Sequence, residues 1–99
     1  MTHLFDFVNL RLLSCWERPH TVQEVSEITG DGIANVYRRL KILERERLVE
    51  KTGKQRRNAR PRPIYCSNVQ NVSIKLDLNR YFVIVRFKDG TIREEGYSA

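Results

Sequence analysis

Long apolar runs are missing from this chain. Nothing in it approaches the roughly 20 residues needed to cross a bilayer, so no membrane-spanning segment is expected. The first thirteen residues are partly apolar, but Asp6 and Arg11 interrupt them and no small-residue cleavage site follows, so no signal peptide is expected. Cysteine is scarce: Cys15 and Cys66 stand far apart, without CxxC spacing. A tetrahedral zinc site would have to gather Cys15, Cys66, His3 and His20, which have no ligand-like spacing, so neither a metal nor a cofactor is expected. Two free cysteines are the simpler expectation, with a disulfide within or between chains as the alternative.

Groups arranged for catalysis are also lacking. There is no phosphate-binding glycine loop. His3 and His20 fall near a terminus and a turn, where surface positions are expected. Ser14, Ser26 and Ser67 have no nucleophile context, and Glu24, Glu27, Asp77, Glu94 and Glu95 form no paired-carboxylate motif. An enzyme is therefore not expected.

Positive charge is present in quantity and is unevenly placed. Between Arg38 and Arg62 lie 11 of the 18 basic residues, with only Glu44, Glu46 and Glu50 against them. That quarter of the chain carries net +8 and the remainder −2. A solvated surface with local ion pairs is the ordinary reading of a charge run, each pair contributing only tenths of a kcal/mol. Here most of the charge has no local counter-ion, which points instead to a polyanionic partner.

The 99 residues suffice for one domain, or a small one with an appendage. Residues Leu4 to Trp16 read as an amphipathic helix with Phe5, Val8, Leu12 and Cys15 at helical spacing. Phe7, Leu10 and Leu13 lie toward other faces, where either the core or a second subunit would cover them. Thr21–Val22–Gln23–Glu24 is a capping box opening a second helix with Val22, Val25 and Ile28 inward. Gly30 suits a left-handed C-terminal residue, and Asp31 or Gly32 would cap a third helix, residues 33–45. In that helix Val36, Leu40 and Leu43 face inward. Ala34, Asn35, Arg38, Lys41 and Arg45 form the opposite face, flanked by Tyr37 and Arg39. Two helices across a short turn, the second basic, is the helix–turn–helix pattern.

Leu48 to Thr52 and Ile64 to Ser67 read as paired strands. Residues 53–63 between them contain no apolar residue except Ala59 and are expected as an exposed loop stiffened by Pro61 and Pro63. Beyond residue 68 the chain reads as a β-meander. Val72, Ile74, Leu76 and Leu78 alternate inward, Asn79–Arg80 turns, Tyr81 to Phe87 forms a central strand, an Asp89–Gly90 hairpin follows, and Ile92 to Glu95 closes the sheet.

Leu10–Arg11–Leu12–Leu13 with Thr21 to Gly30, and Asn35 to Val49, resemble the helices and wing entry of small winged-helix regulators. The likeness is to the arsenic-repressor-like group and related regulators of archaea and their viruses, and it covers roughly residues 4–67. The resemblance implies a winged helix-turn-helix over residues 1–68; with the strand pattern's own β-meander over 69–99, which would complete the core or the dimer interface in the same compact unit, the fold class is α+β. It further implies a homodimeric regulator that binds double-stranded DNA in the cytoplasm, on the nucleoid or, for a viral member, in the host. Helix 33–45 would enter the major groove and the wing, residues 53–63, would lie on the backbone or minor groove. The family's reading positions fall on Asn35, Tyr37, Arg38 and Arg39, and its wing on Lys54 to Arg62. The chain departs from the family in its Asp31–Gly32–Ile33–Ala34 turn, in its β-rich tail, and in lacking the metal sensors' cysteine motif.

The residues themselves support the same chemistry. Asn35, Arg38 and Lys41 offer donors suited to base edges, Arg pairing with guanine and Asn with adenine. Tyr37 would donate to a phosphate, contact a thymine methyl or pack. Lys54, Arg56, Arg57, Arg60 and Arg62 suit phosphates or a narrow minor groove. Two other classes compete: a DNA- or RNA-binding or replication-associated module without sequence preference, and a winged helix that binds protein. Only Tyr37 would serve as a stacking platform in the basic segment, and a protein-binding module needs no such charge.

Overall fold

The computed structural model describes residues 4–57 and 60–98, apart from the side chains of residues 56 and 57. The protein is α+β, with three helices and five antiparallel strands among the described residues: α1 (Phe7–Cys15), α2 (Val22–Thr29), α3 (Ile33–Arg45), β1 (Val49–Arg57), β2 (Arg60–Ser67), β3 (Val69–Asp77), β4 (Arg80–Phe87) and β5 (Ile92–Ser98). It packs as two compact units, Met1–Ser67 and Asn68–Ala99, where sequence patterning predicts a single one.

Helix α1 is shorter than periodicity predicts because Asp6 caps it, its carboxylate accepting from the Asn9 N–H at 2.8 Å. The buried stripe is Phe5, Asn9, Leu12, Leu13 and Trp16, so Val8 and Cys15 are only half-buried. Asn9 can sit inside because its side-chain amide donates to the Leu4 carbonyl at 2.8 Å. Phe7 is 80% exposed.

The capping box at α2 is formed as predicted: Glu24 N–H donates to Thr21 Oγ1 at 3.1 Å, and Thr21 N–H donates to Glu24 Oε1 at 2.8 Å. Gly30 closes the helix at φ 78°. Its inward face is Val22, Val25 and Thr29, while Ile28 is exposed. Thr29 displaces Ile28 from the core because its hydroxyl donates to the Val25 carbonyl at 2.9 Å and accepts from the Asp31 N–H at 3.2 Å. Gly32 provides the N-cap of α3 without a side-chain bond, and Val36, Leu40 and Leu43 are fully buried.

A glycine-less Schellman motif ends α3. Leu48 N–H donates to the Leu43 carbonyl at 2.9 Å and Arg47 N–H to that of Glu44 at 3.0 Å, with Arg47 at φ 63°. Leu43 and Leu48, both buried, supply the apolar contact that accompanies such a motif.

The expected loop 53–63 is instead a hairpin paired nearly to its tip, with Lys54 opposite Pro63, Gln55 opposite Arg62 and Arg56 opposite Pro61. Thr52 is skipped in the register, a bulge next to Gly53. Apolar content is a poor guide here, because strand pairing needs only backbone groups. The prolines are tolerated for a reason visible along β2. Tyr65 N–H donates to His20 and Ser67 N–H to Trp16, so both turn away from β1. By the two-residue period Pro63 and Pro61 face the same outer side, and their missing N–H groups cost no bond to β1.

The second unit is a β3–β4–β5 meander with Val83 and Val85 of the central strand buried. Its hairpin turns at Leu78–Asn79, one residue earlier than expected, since Asp77 pairs with Arg80. The predicted Asp89–Gly90 turn is formed, Asp89 Oδ1 accepting from Thr91 N–H at 2.9 Å and Gly90 at φ 93°. The inward stripe on β3 holds only at Val72, which is half-buried. Ile74 is 55%, Leu76 81% and Leu78 101% exposed.

Candidate nucleic-acid interface

Helix α3 is held from behind, which decides which of its side chains remain at the surface. The buried Val36, Leu40 and Leu43 fix its rotation, leaving Tyr37, Arg38, Lys41 and Arg45 exposed and Asn35 half-exposed on the outer arc. Arg38 Nη2 donates to Asn35 Oδ1 at 2.6 Å, one turn apart, so Asn35 still offers its amide donors outward. The Lys41 ammonium stands 5.0 Å from the Tyr37 ring centroid and 3.6 Å from Glu44. A hydrogen bond with Tyr37, and then the Glu44 carboxylate, raise the Lys41 pKa.

Arg39, a predicted reading position, is placed elsewhere. Its Nη1 donates to Asp6 at 3.1 and 3.3 Å and to Asn9 Oδ1 at 3.0 Å, and its side chain is only 19% exposed. It ties α3 to the start of α1. Helical spacing puts it on the margin of the outer arc, and only the packing of α1 shows which way it turns.

Strand register separates the hairpin's cations. Cross-strand partners share a face, so Lys54 lies with Pro63, on the face that carries Tyr65 two residues along. Arg60 and Arg62 lie on the opposite face, and all three are exposed. The side chains of Arg56 and Arg57 lie outside the described residues.

Two recesses flank α3. One, about 490 Å³, is lined by Leu4, Asn9, Arg38, Arg39, Ile42 and Arg45. The other, about 390 Å³, lies between the first turns of α2 and α3 and strand β2, and is lined chiefly by Val22, Ile33, Ala34, Tyr37, Pro63 and Tyr65. Helical spacing alone puts Ala34 and Arg45 on the outer arc. Nothing in the sequence brings Pro63 to Ile33. Tyr65 is positioned by the His20 bridge and by edge contact with Trp16, ring centroids 6.4 Å apart. Burial, then the Glu44 charge, raises its hydroxyl pKa.

The remaining titratable candidates lie apart from this surface. His20 Nδ1 is 3.0 Å from the carbonyl oxygens of Cys15 and Arg18, which only accept, so this nitrogen carries the proton. Cys15 and Cys66 are not joined in a disulfide, and burial pushes Cys15 up, which disfavours a reactive thiolate. Among the described residues no three His, Cys, Asp or Glu side chains cluster as a metal site, and His3 lies outside them. No helix among them is long and apolar enough to cross a membrane. No protein-family model matches the chain, and no curated protein matches it.

Proposed function

We propose that this protein is a winged-helix transcription regulator that binds double-stranded DNA sequence-specifically as a cytoplasmic homodimer. The observation that carries the reading is the outer arc of α3. Asn35, Arg38, Lys41 and Arg45 stand at the surface of one helix, backed by a fully buried stripe that holds the helix as a rigid reading head. The following hairpin, with Lys54, Arg60 and Arg62 exposed, serves as the wing. Arg38 supplies paired donors for the acceptors of guanine, Asn35 supplies an amide donor and a carbonyl acceptor for adenine, and the wing cations neutralise phosphates.

The homodimer reading is supported by the exposed apolar row Ile74, Leu76 and Leu78 on the second unit, a surface that a second copy would cover. Two subunits would set two copies of α3 about one helical turn apart on a pseudo-palindromic site. No catalytic step and no cofactor enter this function.

Selection from random duplex DNA at two salt concentrations tests the reading. A pseudo-palindrome that survives the higher salt is expected. If two subunits neutralise about eight phosphates, the log–log salt slope should be near −7. Binding without any enriched sequence would instead make the protein a general nucleic-acid or replication-associated binder. No duplex binding would turn the reading to RNA or to a protein partner.

A further inference from the structure

The outer arc of α3 is not uniformly polar. At its first turn Ile33 is 48% exposed and Tyr37 50%, with Ala34 exposed between them. Together with Pro63, and with Val22 and Tyr65 at its floor, they make an apolar groove of about 390 Å³. Two cations border it: Arg62 lines it and Lys41 stands over the Tyr37 ring at 5.0 Å. An apolar groove rimmed by positive charge asks for a partner that is anionic outside and locally apolar within.

In the major groove of duplex DNA the distinctive apolar group at the base edges is the C5-methyl of thymine. We propose that the Ile33–Ala34–Tyr37 groove is a thymine-methyl subsite, so that the protein discriminates thymine from other bases at one or two positions of each half-site. The proposal rests on the DNA-binding reading above and adds to it a specificity element of different chemistry. Arg38 and Asn35 read hydrogen-bonding edges, whereas Ile33, Ala34 and Tyr37 read a methyl group. The charged rim matches the phosphates that flank any such base. Lys41 over the Tyr37 ring also limits the positions that ring can take, which keeps the groove open.

Deoxyuridine differs from thymidine only by that methyl, so replacing thymines one at a time in the selected duplex isolates the interaction. With the full-length protein, one or two positions per half-site should lose about fourfold in affinity, the value of one buried methyl. The same replacements should be neutral with the Ile33→Asn/Tyr37→Ala double variant, whose side chains are half-exposed and whose fold can be checked by circular dichroism. A protein that binds a defined site in which uracil is tolerated everywhere overturns this proposal and leaves DNA binding standing. So does a double variant that keeps full sensitivity to uracil. A protein that binds no duplex overturns both readings together.

Discussion

Arg39 and Asp6 form a half-buried ion pair at 3.1 Å that joins the third helix to the cap of the first. The same carboxylate that accepts from Asn9 N–H to start α1 accepts from Arg39, and Asn9 Oδ1 takes a further bond from the same guanidinium nitrogen. The pair therefore sets the position of α1 against the helix proposed to read DNA, and makes Arg39 a structural residue within a basic segment.

Arg39→Met should accordingly lower stability by about 1.5–3 kcal/mol, the worth of hydrogen bonds to a charged group that is largely out of solvent. Arg38→Ala should change stability by less than about 0.5 kcal/mol, yet weaken specific DNA binding by about 1–3 kcal/mol. Urea denaturation beside DNA titration separates the two. Equal stability losses in both variants would contradict the division of roles.

Removing charge from the hairpin should act on all DNA alike. Arg60→Ala and Arg62→Ala, each present twice in the homodimer, should each reduce the magnitude of the log–log salt slope by about 2 and leave the preferred sequence unchanged. The slope measured between low and moderate salt, on specific and scrambled duplexes, checks this.

The second unit contains a pH-sensitive network in which Arg93 Nε donates to Glu95 Oε1 at 2.8 Å and the Tyr97 hydroxyl donates to Glu95 Oε2. Burial, then the Glu95 hydrogen bond and charge, pushes the Tyr97 pKa up to about 12. A folded pKa above the unfolded value of about 10 stabilises the fold fully below pH about 10, and that contribution is lost as pH rises through about 12. The Glu95 pKa moves the other way, lowered by the Tyr97 hydroxyl and then by Arg93. Its contribution is present above the unfolded carboxylate value and disappears as pH falls through the lowered folded one. Alkaline titration of tyrosine absorbance should show a component near pH 12 that is lost in Tyr97→Phe, while the raised Tyr65 component remains.

Leu78 occupies the first turn position of the β3–β4 hairpin at φ 46°, fully exposed. A leucine there is strained by roughly 1–2 kcal/mol, while glycine would add chain entropy to the unfolded state. Leu78→Gly should thus be neutral to stabilising by about 1 kcal/mol in thermal denaturation of the monomer, measured in the Leu76→Lys background so that loss of the proposed dimer contact does not enter.

Under the homodimer reading, Leu76→Lys should shift the protein toward monomer in sedimentation, with the isolated fold unaffected because Leu76 is 81% exposed. An unchanged sedimentation coefficient would place the dimer contact elsewhere.

The sequence by itself determined the elements whose signals are local. The Thr21–Glu24 box and Gly30 bound α2, the period of Val36, Leu40 and Leu43 oriented α3, and Asp89–Gly90 placed the last turn. Each depends on contacts within a few residues. Charge density likewise marked the α3–hairpin segment, because composition needs no geometry. Only the tertiary structure decided the rest, where the competing partners are distant in the chain. Thr29 replaces Ile28 inside because of its own satisfied hydroxyl, and Arg39 leaves the outer arc of α3 because Asp6, 33 residues away, accepts it. The hairpin absorbs two prolines because Tyr65 and Ser67 bond outward to His20 and Trp16, a parity that no count of apolar residues along β2 contains.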